Sequence, residues 1–236
     1  MVRGLAALLA LAAAAAYFLL VGEIPEVDRD AGRYAAGCAG AVAIGLAAIV
    51  PLAGRDDWVA LVVLGVGSGL LATALTGQDV GAAADVVEVL LAAAAGLLFA
   101  FAFGIPAAVV ALPVLVAGID AAAVLTGPDE PLGDFDPVDV LTFDLPAFGG
   151  ERPSIARLGF LDATFLAMFA AWSVRFALRP RIAIPLMIAG LASSVALAVA
   201  LDRAIPALPF VAVAFLLPAL SRLPRLLRTP GDAAEA

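Results

Sequence analysis

The sequence predicts an all-α fold: a polytopic transmembrane helical bundle of about eight helices. Of its 236 residues 64% are hydrophobic and only 14% are charged, where soluble domains run nearer half and a quarter. Apolar stretches of about 20 residues recur along the chain, each long enough to cross the hydrocarbon layer as a helix. They are apolar throughout, which excludes the alternating strands of a transmembrane β-barrel. Eight such helices take about 160 residues, leaving room for loops but not for a soluble domain.

Charge and Gly/Pro punctuation bound the helices. The first, Val2–Val21, has Arg3 as a charged start but is long for a signal-peptide core, so it is read as a retained helix. Tyr34–Ala53, Trp58–Thr76 and Ala82–Phe103 follow. In Gly65-Val66-Gly67-Ser68-Gly69 the small residues recur at helix-packing spacing. Asp85 and Glu88 share one face near a helix end and read as an interface marker. Gly104-Ile105-Pro106 breaks the chain before Ile105–Leu125, and Ile155–Leu178, Ile182–Leu201 and Ile205–Leu220 complete the set. The organisation expected is an N-terminal group of about four helices (1–104), a four-helix part (105–221) and a tail (222–236).

The one long hydrophilic segment, Thr126–Ser154, carries Asp129, Glu130, Asp134, Asp136, Asp139 and Asp144, and reads as a solvated connector. Its acids lack the EF-hand spacing. Val138–Phe143 is β-branched and apolar between turn residues, so a short strand is expected there. With eight passes, eight Arg fall on the side of both termini and five (Arg29, Arg33, Arg152, Arg157, Arg203) on the other. The positive-inside rule then puts the chain in the cell membrane with both termini cytoplasmic and the long loop outside. Arg222, Arg225 and Arg228 would rest on anionic headgroups of the bilayer.

The inventory of side chains narrows the chemistry. There is no His and no Lys, and Cys38 is alone. That removes Ser-His proteolysis, zinc and haem sites built on His, Lys-based Schiff bases, the Walker A loop, disulfides and Cys-rich metal centres. No metal site and no cofactor is expected. The formal charge of −8 argues against nucleic acid as a partner. Carboxylates are the most capable groups left.

Among the carboxylates within apolar spans, where an Asp costs about 2.5–3.5 kcal/mol on insertion scales and marks a functional candidate, two stand out. Asp120 sits about five residues from the outer end of the fifth helix, and Asp162 five to seven residues below the same face in the sixth. At 1.5 Å per residue both lie roughly 8–10 Å deep on neighbouring antiparallel helices, where they can meet. Two carboxylates in contact in a poorly hydrated site hold a single proton between them, as in an aspartic protease. Their other use would be hydrogen bonding to Ser, Thr, Arg or backbone groups, or an ion pathway. Pro206-Ala207-Leu208-Pro209 is expected in the first turn or two of the eighth helix, at the same depth. There Pro would expose backbone carbonyls that need other partners.

The order of an Asp in one helix, a hydrophilic loop, Gly-x-x-Asp in the next, a further helix and then Pro-Ala-Leu-Pro resembles the presenilin and signal peptide peptidase family of intramembrane aspartyl proteases. Asp120 matches the family's first aspartate, Asp162 the second, Gly159 the leading glycine of its Gly-x-Gly-Asp, and Pro206, Ala207 and Leu208 its Pro-Ala-Leu motif. The resemblance covers about Ile105–Leu220 and implies a presenilin-like C-terminal half. It also implies catalysis by Asp120 and Asp162, substrate contacts at Gly159 and Pro206–Leu208, and a transmembrane peptide or protein as substrate. The chain departs from the pattern at Ile119, where the family has Tyr, and at Leu161, where it has a second Gly. It also has one N-terminal helix fewer. Leu161 is expected to add bulk beside Asp162. The alternative is a non-enzymatic membrane protein: an inactive family member, or a transporter or channel using the two acids for protons or cations. No internal repeat of the transporter kind is evident.

Overall fold

The computed structural model describes residues 2–25, 29–54, 58–76, 81–126, 142–146, 148 and 155–227. It is a helical membrane bundle: α1 (Val2–Leu20), α2 (Arg29–Ile49), α3 (Trp58–Thr76), α4 (Gly81–Ala102), α5 (Pro106–Thr126), α6 (Phe160–Arg175), α7 (Pro180–Leu201), α8 (Leu208–Ala219) and a short α9 (Leu223–Leu227). Six of these helices are long and apolar enough to cross a membrane. At 1.5 Å per residue the 21 residues of α5 span about 30 Å.

Where helices touch, small residues let them approach, because lipid supplies no hydrophobic drive and close packing must hold the bundle. Gly96 of α4 lies so near α6 that a Cβ there would run into the Thr164 carbonyl and come within 2.9 Å of Ala167 Cβ. Gly37 and Gly45 of α2 face Val195 and Ile188 of α7, so this pair runs antiparallel. Gly65 and Gly69 face Ala94 and Leu91 of α4, as the packing reading expects, while Gly67 meets nothing within 4 Å. The core centres on α6, where Phe169 stacks on Phe215 of α8 at 5.1 Å and on Trp172 at 5.9 Å. Trp172 Nε1 donates to the Ala100 carbonyl at 3.2 Å, so its one polar atom is satisfied within the bundle.

Apart from α2, which starts at Arg29 and not at Tyr34, three elements differ from expectation. The sixth helix begins at Phe160, not Ile155, because Ala156–Gly159 forms a strand (β2) antiparallel to β1 (Thr142–Leu145). The pairs run from Thr142↔Gly159 to Leu145↔Ala156. The alternation turns Phe143, Leu145, Ala156 and Leu158 into the core, where all four are buried. Of the strand expected at Val138–Phe143, only Thr142 and Phe143 are described, and β1 runs on to Leu145. Val138–Leu141 and the loop acids Asp129, Glu130, Asp134, Asp136 and Asp139 lie outside the described residues, as does Arg228. The eighth helix begins at Leu208, not Ile205: Pro206 precedes it and Pro209 takes its second position, where a missing N–H is not needed. Glu88, two turns into α4, is buried at 8% exposure.

Candidate functional site

The hairpin positions Asp162. Once Ala156–Gly159 is committed to the ladder, α6 starts abruptly and leaves its first N–H groups without intrahelical partners. Asp162 stands third in the helix and folds back, its Oδ2 accepting the Gly159 N–H at 2.8 Å. Gly159 cannot return the bond, having no side chain. A Cβ on Gly159 would sit 3.3 Å from that same carboxylate oxygen, so the glycine keeps the space beside Asp162 open. Asp162 therefore lies in the first turn of α6, nearer its end than the expected five to seven residues.

Asp120 is placed by a different helix terminus. It lies near the end of α5, half-buried, and its Oδ2 accepts the Leu208 N–H at 2.9 Å. The neighbouring Ala207 N–H is close enough to favour the charge of this carboxylate as well. The Leu208 N–H is an orphan of the α8 N-terminus, so Asp120 caps α8 from another helix. At the Pro-Ala-Leu-Pro segment the group that meets the acid is the Leu208 N–H, while the Ala207 carbonyl accepts the Phe210 and Val211 N–H groups within α8. Pro206 and Pro209 set the helix start at 208, and that was the signal in the sequence for free donors there. Ala207 and Leu208 are buried, Pro206 half-buried.

The two acids lie within electrostatic reach of each other, the charge of Asp120 acting on the Asp162 carboxyl group. Gly159, Asp162, Asp120, Ala207 and Leu208 thus form one constellation built on β2, α5, α6 and the start of α8. Ile119 and Leu161 point away from the packed interior, at 61% and 56% exposure. The bulk of Leu161 therefore lies on the outward side of α6, beside Asp162 in the chain. Among the described residues no group of three or more acids or Cys is arranged to hold a metal ion. An open apolar groove of about 490 Å³ between α1 and α2 is lined by Ala16, Tyr17, Val42 and Phe148, and none of the site residues borders it.

Compared with protein-family models, curated proteins and solved structures, the chain matches none of them.

Proposed function

We propose that the chain is an intramembrane aspartyl protease of the presenilin and signal peptide peptidase type, hydrolysing peptide bonds of transmembrane segments. The observation that carries this reading is the approach of Asp120 and Asp162 from two helices within a bundle of membrane-length apolar helices. Such a pair shares one proton. The ionised carboxylate takes a proton from water as the oxygen adds to the scissile carbonyl carbon. The protonated one hydrogen-bonds the carbonyl oxygen as negative charge develops. Collapse of the tetrahedral intermediate breaks the C–N bond and returns a proton to the leaving amine.

The substrate must unwind locally, because a helical peptide bond is shielded and already hydrogen-bonded. An unwound segment adds as a strand beside the hairpin or along the backbone before α8, as extended peptides do on sheet edges elsewhere. In this reading the chain passes the membrane eight times, with both termini cytoplasmic and the hairpin end outside. The alternation of helix directions fits it: α2 and α7 are antiparallel, while α4 and α6, two passes apart, run parallel.

A second reading is favoured by the same hydrogen bonds. Each acid accepts a backbone N–H at a helix start, a role that needs no catalysis. The chain would then be an inactive family member, or a transporter or channel for protons or cations.

Cleavage of a labelled transmembrane peptide by the purified protein in liposomes separates the two. Wild type is compared with Asp120→Ala and Asp162→Ala. Cleavage by wild type, lost in both variants, supports the protease. Equal cleavage by all three removes the assignment of these residues, and no cleavage by a folded wild type favours the second reading.

A further inference from the structure

Tyr17 is a buried phenol near the end of an otherwise apolar helix, and its hydroxyl must find a partner outside that helix. It finds two. The hydroxyl donates to the Ala36 carbonyl of α2 at 2.9 Å, with a weaker branch to the Pro146 carbonyl, just past β1, at 3.4 Å. Asp85 of α4 is near enough for its charge to act on the phenol. Phenylalanine would fill the same space, so packing alone does not explain the hydroxyl.

Gly40 of α2 makes the junction possible. A Cβ there would come within 2.5 Å of the Tyr17 hydroxyl and 2.7 Å of Leu145 Cδ2, so tyrosine and strand meet over a residue that has no side chain. Leu145 is the last residue of β1; it pairs with Ala156, and its carbonyl accepts the Ile155 N–H at 2.9 Å. Three residues beyond Ala156, the Gly159 N–H holds the Asp162 carboxylate. Four-residue strands in a two-stranded sheet are marginal by themselves, and a slip of one residue would turn every side chain to the wrong face. The register of this hairpin therefore depends on what anchors it.

We propose that Tyr17 is a positioning residue for the carboxylate pair: with Gly40 it clamps the exit of β1 onto α2, and the β1–β2 ladder carries that placement to Gly159 and Asp162. The N-terminal helices thus hold one half of a site whose acids both lie in the C-terminal half. Its consequence for turnover rests on the protease reading; its consequence for the hairpin does not.

The test is Tyr17→Phe in the full chain in liposomes, read by amide hydrogen exchange and by peptide cleavage. Loss of a hydrogen bond of ordinary strength is expected to speed exchange of residues 142–145 and 155–159 about five- to tenfold, with α2, α4 and α7 unchanged. Turnover (kcat) is expected to fall by a similar factor, with KM within about twofold. Gly40→Ala should act in the same direction and more strongly. Unchanged hairpin exchange in Tyr17→Phe would overturn the proposal, as would exchange rising equally along the whole chain. Faster hairpin exchange in a protein whose wild type cleaves nothing would keep the clamp and retire the protease.

Discussion

The two acids stand on helices of opposite character. In α6 ten of the 16 residues are buried, and the helix is wrapped by α2, α4, α7 and α8. In α5 only Val109, Pro113 and Val116 of 21 residues are buried, and the helix leans on α8 and α9. Asp162 is therefore fixed by the core of the molecule. Asp120 is held to it largely by what α8 offers, including the N–H group of Leu208. A site assembled this way has one rigid wall, set in the core, and one lightly packed wall, α5, joined to α4 by a short turn.

The largest effects should come from the acids themselves, and they should differ in kind. Both alanine variants are expected to abolish cleavage, a loss on the order of a hundredfold or more. Asp120→Ala should in addition free α5, because α8 loses its cap at a cost of about 1–2 kcal/mol. Limited proteolysis should then reach the α4–α5 turn in that variant but not in Asp162→Ala. Equal susceptibility would remove the distinction between the two walls.

Next comes the rigid wall. Gly96→Val would drive a branched side chain into the Thr164 carbonyl and Ala167. It is expected to cost about 1–3 kcal/mol, seen as a lower thermal unfolding midpoint in detergent. A midpoint equal to wild type would mean that α4 and α6 are not so closely packed.

A finer contrast sets Gly159 against Leu161. Gly159→Val puts bulk 3.3 Å from the Asp162 carboxylate oxygen and should lower turnover several-fold in the liposome assay. Leu161→Gly restores the glycine of the resembled family, but removes a side chain that points outward. It should change turnover by less than about threefold while costing about 0.5–1 kcal/mol of helix stability. The reverse ranking would show that the side chain of residue 161 meets the substrate.

The smallest effect is expected at Asp202, which bonds Arg33 at 3.3 Å across the ends of α7 and α2 with 67% of its side chain exposed. Asp202→Asn removes an exposed ion pair but keeps a residue suited to its left-handed backbone, φ 48°. Stability should stay within about 0.5 kcal/mol in the same unfolding measurement.

Much of this architecture could be read along the chain. Apolar runs of about 20 residues set α1 to α5 and α7 to within a few residues, apart from a start at Arg29 for α2, because hydrophobic length is a local property. Asp120 and Asp162 stood out because a carboxylate in such a run is rare and costly. The strand at Ala156–Gly159 did not stand out, since ARLG is too short to carry a period of its own and becomes a strand only by pairing with Thr142–Leu145. Tyr17 and Gly40 were legible as residues but not as partners.

What the sequence determined by itself was therefore composition-driven: a membrane bundle, its apolar spans and two acids that could share one end of it. Only the tertiary structure decided the rest. It decided which backbone groups each acid meets, that the Pro-Ala-Leu-Pro segment offers the Leu208 N–H, that Leu161 turns outward, and that an N-terminal tyrosine reaches the hairpin. The physical reason is range. Hydropathy and helix length act over one turn or one span, whereas an orphan N–H at a helix start takes whatever acceptor the packing of distant helices brings to it.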